Sequence, residues 1–262
     1  MSDSGSGTAG AGTRALSGKN CVVMGIQNRW SIAYAIAEQM AEAGANIAVT
    51  YVDERAGRDA LTLAEKYGGK GYTCNVESDE DLDRLATDLE RDLGRVDALV
   101  HSIGYAPAAE LEGRFIDTSR DGFRVAMSVS CYSLVAAARR IAPLMSDGGS
   151  ILTLTYLGAD RAFPKYNVMG VAKAALESSE SPGWRSSSPL TRPRPSPPRR
   201  SSSTTATTRW ACSAARSGRL LQRGRNLCPR LCIALALPGA RQGEPGAAAA
   251  DPRQRPGGMT AH

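Results

Sequence analysis

Apolar positions along the first 177 residues fall alternately into short runs and helical stripes. Residues 19–25, KNCVVMG, form an apolar run ending in glycine, which by length and β-branched content predicts a buried parallel strand. In SIAYAIAEQMAEAG, Ile32, Ala33, Ile36, Ala37 and Met40 recur at helical spacing. Ser31 is placed to cap that helix and Gly44 to stop it. Residues 45–51 read as a second strand, about 53–67 as a helix, and 71–74 as a short strand. The stretch 78–94 is an amphipathic stripe with a capping-box start, because Ser78 is followed three residues later by an acid. Residues 96–102 predict a fourth strand, 118–143 one long helix, 148–156 a fifth strand, and a further helix begins at Pro164.

Strands alternating with helices predict an α/β fold, a Rossmann-like doubly wound parallel sheet built from right-handed crossovers. In such sheets the first strand–turn–helix can receive a dinucleotide's diphosphate on backbone N–H groups and the helix N-terminus. Here the turn is GIQNRWSIA, which lacks the GxGxxG spacing; taken alone it fits an ordinary connection equally well.

The regularity stops after Leu176. Residues 178–262 show neither helical nor strand period, and they hold 11 of the 14 prolines but no Tyr or Phe. Their one apolar run is 231–237, LCIALAL, and the rest cannot bury enough apolar surface to offset chain entropy. Charge divides at the same place. Residues 1–177 carry 18 Lys and Arg against 23 Asp and Glu, whereas 178–262 carry 14 Arg, no Lys and three acids. The expected organisation is a flexible arm over 1–15, one folded domain over 16–177, and a low-complexity, disordered tail over 178–262. Loss of Lys, Tyr and Phe together with a surge of Arg, Pro, Ser and Ala is what an out-of-frame reading of GC-rich DNA produces. An Arg-rich tail can also attract nucleic acid by counterion release. This one lacks interleaved aromatics beyond Trp184 and Trp210 and forms no recognisable module, so nucleic acid is not the expected partner.

No continuous apolar run approaches the ~20 residues of a membrane span, and the N-terminus lacks a signal-peptide pattern, so a cytoplasmic location is expected. Cys21, Cys74 and Cys131 sit on apolar segments without CxxC partners and read as buried small hydrophobes. Cys228 and Cys232 have no histidine near them, so no metal site is expected.

The chemistry begins with Tyr166 and Lys173. Seven residues is two helical turns, so both project from nearly one face. A phenol and an ammonium on one face suit carbonyl reduction, since both favour an oxygen that gains negative charge as hydride arrives. The spacing alone is also met by a Tyr and a Lys that share a face by chance.

Three longer stretches extend the pattern: GIQNRWSIAYAIA (25–37), HSIGYAP (101–107) and LTLTYLGADRAFPKYNVMGVAKAALE (152–177). Together they closely resemble the NADH-dependent enoyl-acyl-carrier-protein reductases, a branch of the short-chain dehydrogenase/reductase superfamily, from about Leu16 to Glu177. The six residues between Tyr166 and Lys173, with a second Tyr in TYLGA, are characteristic of that branch. The resemblance implies an enoyl reductase of type II fatty-acid biosynthesis that passes hydride from NADH to C3 of a trans-2-enoyl thioester on acyl carrier protein. It implies that Tyr166 stabilises the enolate, that Tyr156 flanks the same pocket, and that Lys173 holds the nicotinamide ribose. It further implies that Gly25, Ser31 and Ile32 line the diphosphate, Asn75 and Val76 the adenine, Ile103 and Gly104 the nicotinamide side, and Ala106 the substrate. His101 reads as structural.

Two positions depart from the family pattern. Asn75 stands where an Asp usually contacts adenine, and Val52 where a polar side chain often reaches the adenosine end. Arg55 and Arg58 would favour a 2′-phosphate and Asp53 and Glu54 oppose one, so NADH is expected over NADPH. The larger departure is residues 178–262. The family continues with a sixth strand and an apolar loop of the AISAGPIRT kind that covers the nicotinamide carboxamide, and no such segment follows here. The family's homotetramer, partly built from late helices, is in question for the same reason. Another short-chain ketone or alcohol reductase and an inactive NADH-binding remnant remain as alternatives.

Overall fold

The computed structural model describes residues 14–179 and 232–237. The expectations for the N-terminal arm and for the rest of the tail fall outside these residues. Five parallel strands, β1 (Asn20–Met24), β2 (Asn46–Tyr51), β3 (Lys70–Thr73), β4 (Ala98–His101) and β5 (Gly149–Leu154), form the sheet, and a sixth, β6 (Cys232–Leu237), pairs antiparallel with β5. The order β3-β2-β1-β4-β5-β6 reverses direction between β1 and β4, which opens a crevice beyond the carboxyl ends of those two strands.

Side-chain alternation on β1 shows why helices cover both faces. Cys21 and Val23 pack with Ala33, Ala37 and Met40 of α1 (Ile32–Glu42) and with Ala60 and Leu63 of α2 (Glu54–Lys66). Val22 and Met24 point the other way. They pack with Leu82, Leu85 and Leu89 of α3 (Asp79–Leu93) and with Leu134 and Ile141 of α5 (Ser133–Ile141). These four of the five β1 side chains are fully buried, and the strand lies inside the sheet between β2 and β4.

The predicted caps are present. Ser31 Oγ accepts from Tyr34 N, and Gly44 follows the end of α1 at a φ of +95°. Ser78 caps α3 by accepting from Asp81 N at 3.0 Å, but the return bond of a capping box is redirected: the Asp81 carboxylate accepts from Asn75 N at 2.8 Å.

Three elements differ from the sequence expectation. The single helix over 118–143 is instead α4 (Arg120–Met127) and α5, joined by a π-helical turn at Ser128–Tyr132. By length and apolar composition the whole span Arg120–Leu144 could cross a membrane; half of that window is buried inside this fold. The helix expected from Pro164 begins at Asn167, as α6 (Asn167–Ser178). Lys165 and Asn167, at φ values of 60° and 26°, hold the preceding turn out of helical geometry. Finally, Cys232–Leu237, expected to lie in a disordered tail, forms β6. β5 offers a row of backbone N–H and C=O groups along its edge, and an apolar run can satisfy them.

Leu99, fully buried between β1, α3 and α5, tests this packing. Leu99→Ala is expected to destabilise the folded unit by about 2–5 kcal/mol. The readout is a lower urea midpoint at unchanged slope by circular dichroism, with the half-exposed Val52→Ala leaving the midpoint in place.

Candidate active site

A cleft of about 820 Å³ opens at the switch point. Its lining includes Gly25, Ser31, Ile32, Val52, Asn75, Val76, Ile103 and Gly104, so eight of the predicted cofactor residues share one cavity. Gly25 has a φ of +93°, and a Cβ there would run into the Ser102 carbonyl and approach Ile103 Cγ1 at 2.9 Å. Backbone of β1 and of the segment after β4 therefore approach as closely as glycine allows, leaving a bare peptide surface for a ligand. At the far wall Asn75 is fixed from both sides: its N–H donates to Asp81, and its Oδ1 accepts from Glu77 N at 3.1 Å. An amide oxygen can accept two hydrogen bonds, and this one has a single partner among the described residues.

The tyrosines expected at the substrate lie outside this lining, and Tyr166 instead lines a second cavity of about 350 Å³ with Phe115, Gly158 and Phe163. Tyr156, just after β5, and Tyr166, just before α6, have ring centroids 5.0 Å apart and tilted by 60°. Phe163 tilts against Tyr156 at 5.4 Å. A Cβ on Gly158 would overlap the Tyr166 ring, so the pair can close only over glycine. Burial, and then the neighbouring Tyr156 phenol, push the Tyr166 hydroxyl up to about 12. Tyr166 thus remains a protonated donor across neutral pH.

Lys173, one-twelfth exposed, does not open into the cleft. Its Nζ donates to Leu154 O at 2.9 Å and to Ile103 O at 3.1 Å, and it lies 3.3 Å from where a Cβ on Gly104 would be. Burial lowers its pKa to about 8. Ala106 is also buried, in a small cluster with Ala126, Val168, Met169 and Ala172 against which Tyr166 packs. It backs the tyrosine and does not line the cleft. His101 is fully enclosed between Thr153 Oγ1 at 3.1 Å and Ser133 Oγ at 2.8 Å. Burial, and then the Lys173 charge, lower its pKa to about 3, so it is a neutral packing residue. Burial raises the Cys21 and Cys74 thiols to about 12, and both are inert small hydrophobes.

Sequence reasoning missed two supports. The π-turn presents Ser130, whose hydroxyl donates to Tyr105 O and accepts from Tyr105 N, each at 2.9 Å. It clamps the HSIGYAP segment, and an inserted residue in a helix has no compositional signal. Glu177, one turn beyond Lys173, accepts from Thr155 Oγ1 at 2.5 Å. One face of α6 therefore holds consecutive residues, Leu154 and Thr155, immediately before Tyr156. An i, i+4 pair on an apolar helix was visible in the sequence, but its targets were not.

The family described as Enoyl-(Acyl carrier protein) reductase matches residues 25–180. The chain belongs to the enoyl-acyl-carrier-protein reductase family. It is 46% identical over 165 residues to the NADH enoyl-acyl-carrier-protein reductase FabI of Aquifex aeolicus, covering 62% of this chain and 61% of that one. It is likewise 46% identical over 166 residues to the NADH enoyl-acyl-carrier-protein reductase 1 of Rhizobium meliloti, covering 63% and 61%. Among solved structures, the Aquifex aeolicus reductase superposes with a TM-score of 0.61 at 45% identity over 63% of this chain and 66% of that one. The Anaplasma phagocytophilum reductase in complex with NAD gives 0.62 at 40% identity over 64% of each chain. The Bacillus cereus reductase with NADP+ and an indole naphthyridinone gives 0.62 at 43% identity over 63% and 66%. The chain spans about three-fifths of the length of the curated relatives it matches.

Within this family's architecture, the Thr155–Glu177 bond ties the strand carrying Tyr156 to the helix carrying Lys173. Thr155→Val is expected to lower hydrogen-exchange protection of residues 155–158 by tenfold or more, while Thr155→Ser, which keeps the hydroxyl, preserves it. Mass-spectrometric exchange on the two variants checks this.

Proposed function

We propose that this chain derives from an NADH-dependent enoyl-acyl-carrier-protein reductase that reduces a trans-2-enoyl thioester in the cytoplasm as a step of fatty-acid synthesis. The observation that carries the proposal is the Tyr156–Tyr166 pair, 5.0 Å between rings, with the Lys173 ammonium bonded to Ile103, a residue of the dinucleotide-sized cleft. The glycine cradle at Gly25 and the cleft's volume suit an adenine dinucleotide. Bound nicotinamide would supply the hydride for C3 of the enoyl chain.

The chain's own residues would do the rest. Tyr166 keeps its proton and donates to the thioester carbonyl oxygen, stabilising the enolate. Tyr156 packs on that ring and limits its motion. Lys173 has spent two of its three N–H donors on Ile103 and Leu154, which leaves one for a ribose hydroxyl and the full positive charge for the developing anion. Asp53 supports NADH over NADPH: it lines the cleft at the end of β2 and caps α2 by accepting from Ala56 N at 2.8 Å, which puts negative charge where a 2′-phosphate would lie. The acyl carrier protein that would deliver the thioester, and the roles given to Ala106 and Val52, are part of the same proposal.

A second reading, NADH binding without useful turnover, is favoured by the family match ending at residue 180. The sequence beyond it holds no counterpart of the apolar loop over the nicotinamide, and a site that works by positioning loses orders of magnitude when a wall is missing. The assay is NADH oxidation with crotonyl thioester. The expected result is saturable NADH binding with turnover at least a hundredfold below an intact relative, and loss of the remainder in Tyr166→Phe. Near-normal turnover would refute the missing-wall account, and an absence of NADH binding would refute the cofactor assignment. Resequencing the DNA around codons 175–185 is expected to recover a family-like peptide in another frame; an intact frame with no such peptide contradicts that origin for the tail.

The Lys173 pKa near 8 sets a pH dependence. Its folded-state value lies below its unfolded value of 10.5, so between these pH values the folded chain binds fewer protons, and this group's contribution to stability rises with pH. Its charge acts in the opposite direction on binding. NADH affinity is expected to fall as pH rises through about 8, and Lys173→Met should be weaker throughout and lack that step. Fluorescence titrations from pH 6.5 to 9.5 read both.

A further inference from the structure

The cleft wall contains a feature that the cofactor assignment does not use. Trp30 lines the cleft yet is 71% exposed, and the Arg29 guanidinium rests 4.8 Å above its ring. Among the described residues this guanidinium makes no ion pair. The backbone beneath the pair is held firmly. Arg29 N donates to Asp59 Oδ2 at 2.8 Å, Trp30 N to Asn28 Oδ1 at 2.8 Å, and Ser31 N to Asn28 O at 3.0 Å. The Ser31 hydroxyl also donates to Asn28 O, at 2.7 Å.

These bonds have a chemical consequence. Three successive amides of the turn that faces a dinucleotide's diphosphate are already engaged within the protein. The cleft lining adds the carboxylates of Asp53 and Glu77 and, among the described residues, contains no Lys or Arg. A diphosphate entering this cleft therefore finds these three amides engaged and meets an unfavourable local charge. A cation must come from beside the lining, and Arg29 is already parked on a ring of the cleft wall. A planar guanidinium is suited to phosphate oxygens, and a stacked one loses less side-chain entropy on binding.

The geometry points to Arg29 and Trp30 as a further dinucleotide-binding element, in which Arg29 pairs with the diphosphate and the Trp30 indole walls the cleft mouth beside it. This rests on the cofactor assignment proposed above, but not on turnover. It also accounts for a turn without GxGxxG spacing: a side-chain cation replaces backbone donors that the turn has spent on its own structure.

Equilibrium titration of the whole chain with NADH, ADP and adenosine tests it, followed by ligand fluorescence for NADH and by calorimetry for the others. Arg29→Gln should weaken NADH and ADP about tenfold and leave adenosine unchanged. It should also flatten the dependence of NADH affinity on salt. Trp30→Leu, which removes the resting place of the guanidinium, should weaken NADH several-fold and abolish most of the energy transfer from tryptophan to bound NADH. Unchanged NADH and ADP affinities in Arg29→Gln overturn the inference, and so does an equal loss for adenosine. Wild-type binding without turnover would favour the second reading above and leave this inference standing. Normal turnover with an indifferent Arg29→Gln would do the reverse.

Discussion

The site is organised around one buried ammonium. Lys173 Nζ, reaching from the middle of α6, donates to the carbonyl of Leu154 at the end of β5 and to that of Ile103 beyond the end of β4. Burying a charge in this way is costly and is tolerated only when polar groups replace the lost water. Leu154 closes β5, in register with Cys232 of β6, and Ile103 lies two residues beyond β4. The ammonium is thus both a substitute hydrogen-bond partner and a rivet joining two strand ends to one helix. Removing it would take this donor from both carbonyls and loosen the segments that carry Tyr156 and Gly104.

Other parts of the site attach to that rivet. Glu177 repeats it one helical turn on by holding Thr155, and the π-turn repeats it from the opposite side by holding Tyr105 through Ser130. Lys165 and Asn167 take positive φ on either side of Tyr166, and the Asn167 amide donates to Glu112 O and Gly113 O at 3.1 and 3.2 Å. Strained backbone persists where its surroundings over-determine it. The tyrosines are accordingly placed by bonds within the described residues, and the family match ends just beyond them, at residue 180.

The sheet, its parallel strands and both helical layers could be read from the periodicity of residues such as Cys21–Met24 and Leu82–Leu89, because one face of each element must be buried. Eight cofactor positions could be placed in one cavity because strand ends converge at a topological switch. Features set by tertiary contact alone were not legible. Nothing in SVSCY marks a π-turn, nothing in PKYN marks two left-handed residues, and Cys232–Leu237 reveals its pairing only against the edge of β5. Lys173 was expected to face the cofactor; its bonds to Leu154 and Ile103 beside the cleft residue Gly104 were not legible, since sequence spacing gives a helix face but not what that face meets. Arg29 and Trp30 were visible in GIQNRWSIA and were passed over, because motif comparison directs attention to the positions a family shares.

The proposal on which the rest depends is that a dinucleotide binds the cleft lined by Gly25, Asn75 and Ile103, although the family match ends at residue 180. Hydrogen exchange of the whole chain with and without saturating NADH tests it most directly. The account predicts added protection confined to Gly25–Ile32, Asn75–Val76 and Ile103–Tyr105, with the exposed Phe115–Thr118 segment unchanged. Protection that is absent from those three segments, or that appears elsewhere instead, would contradict it.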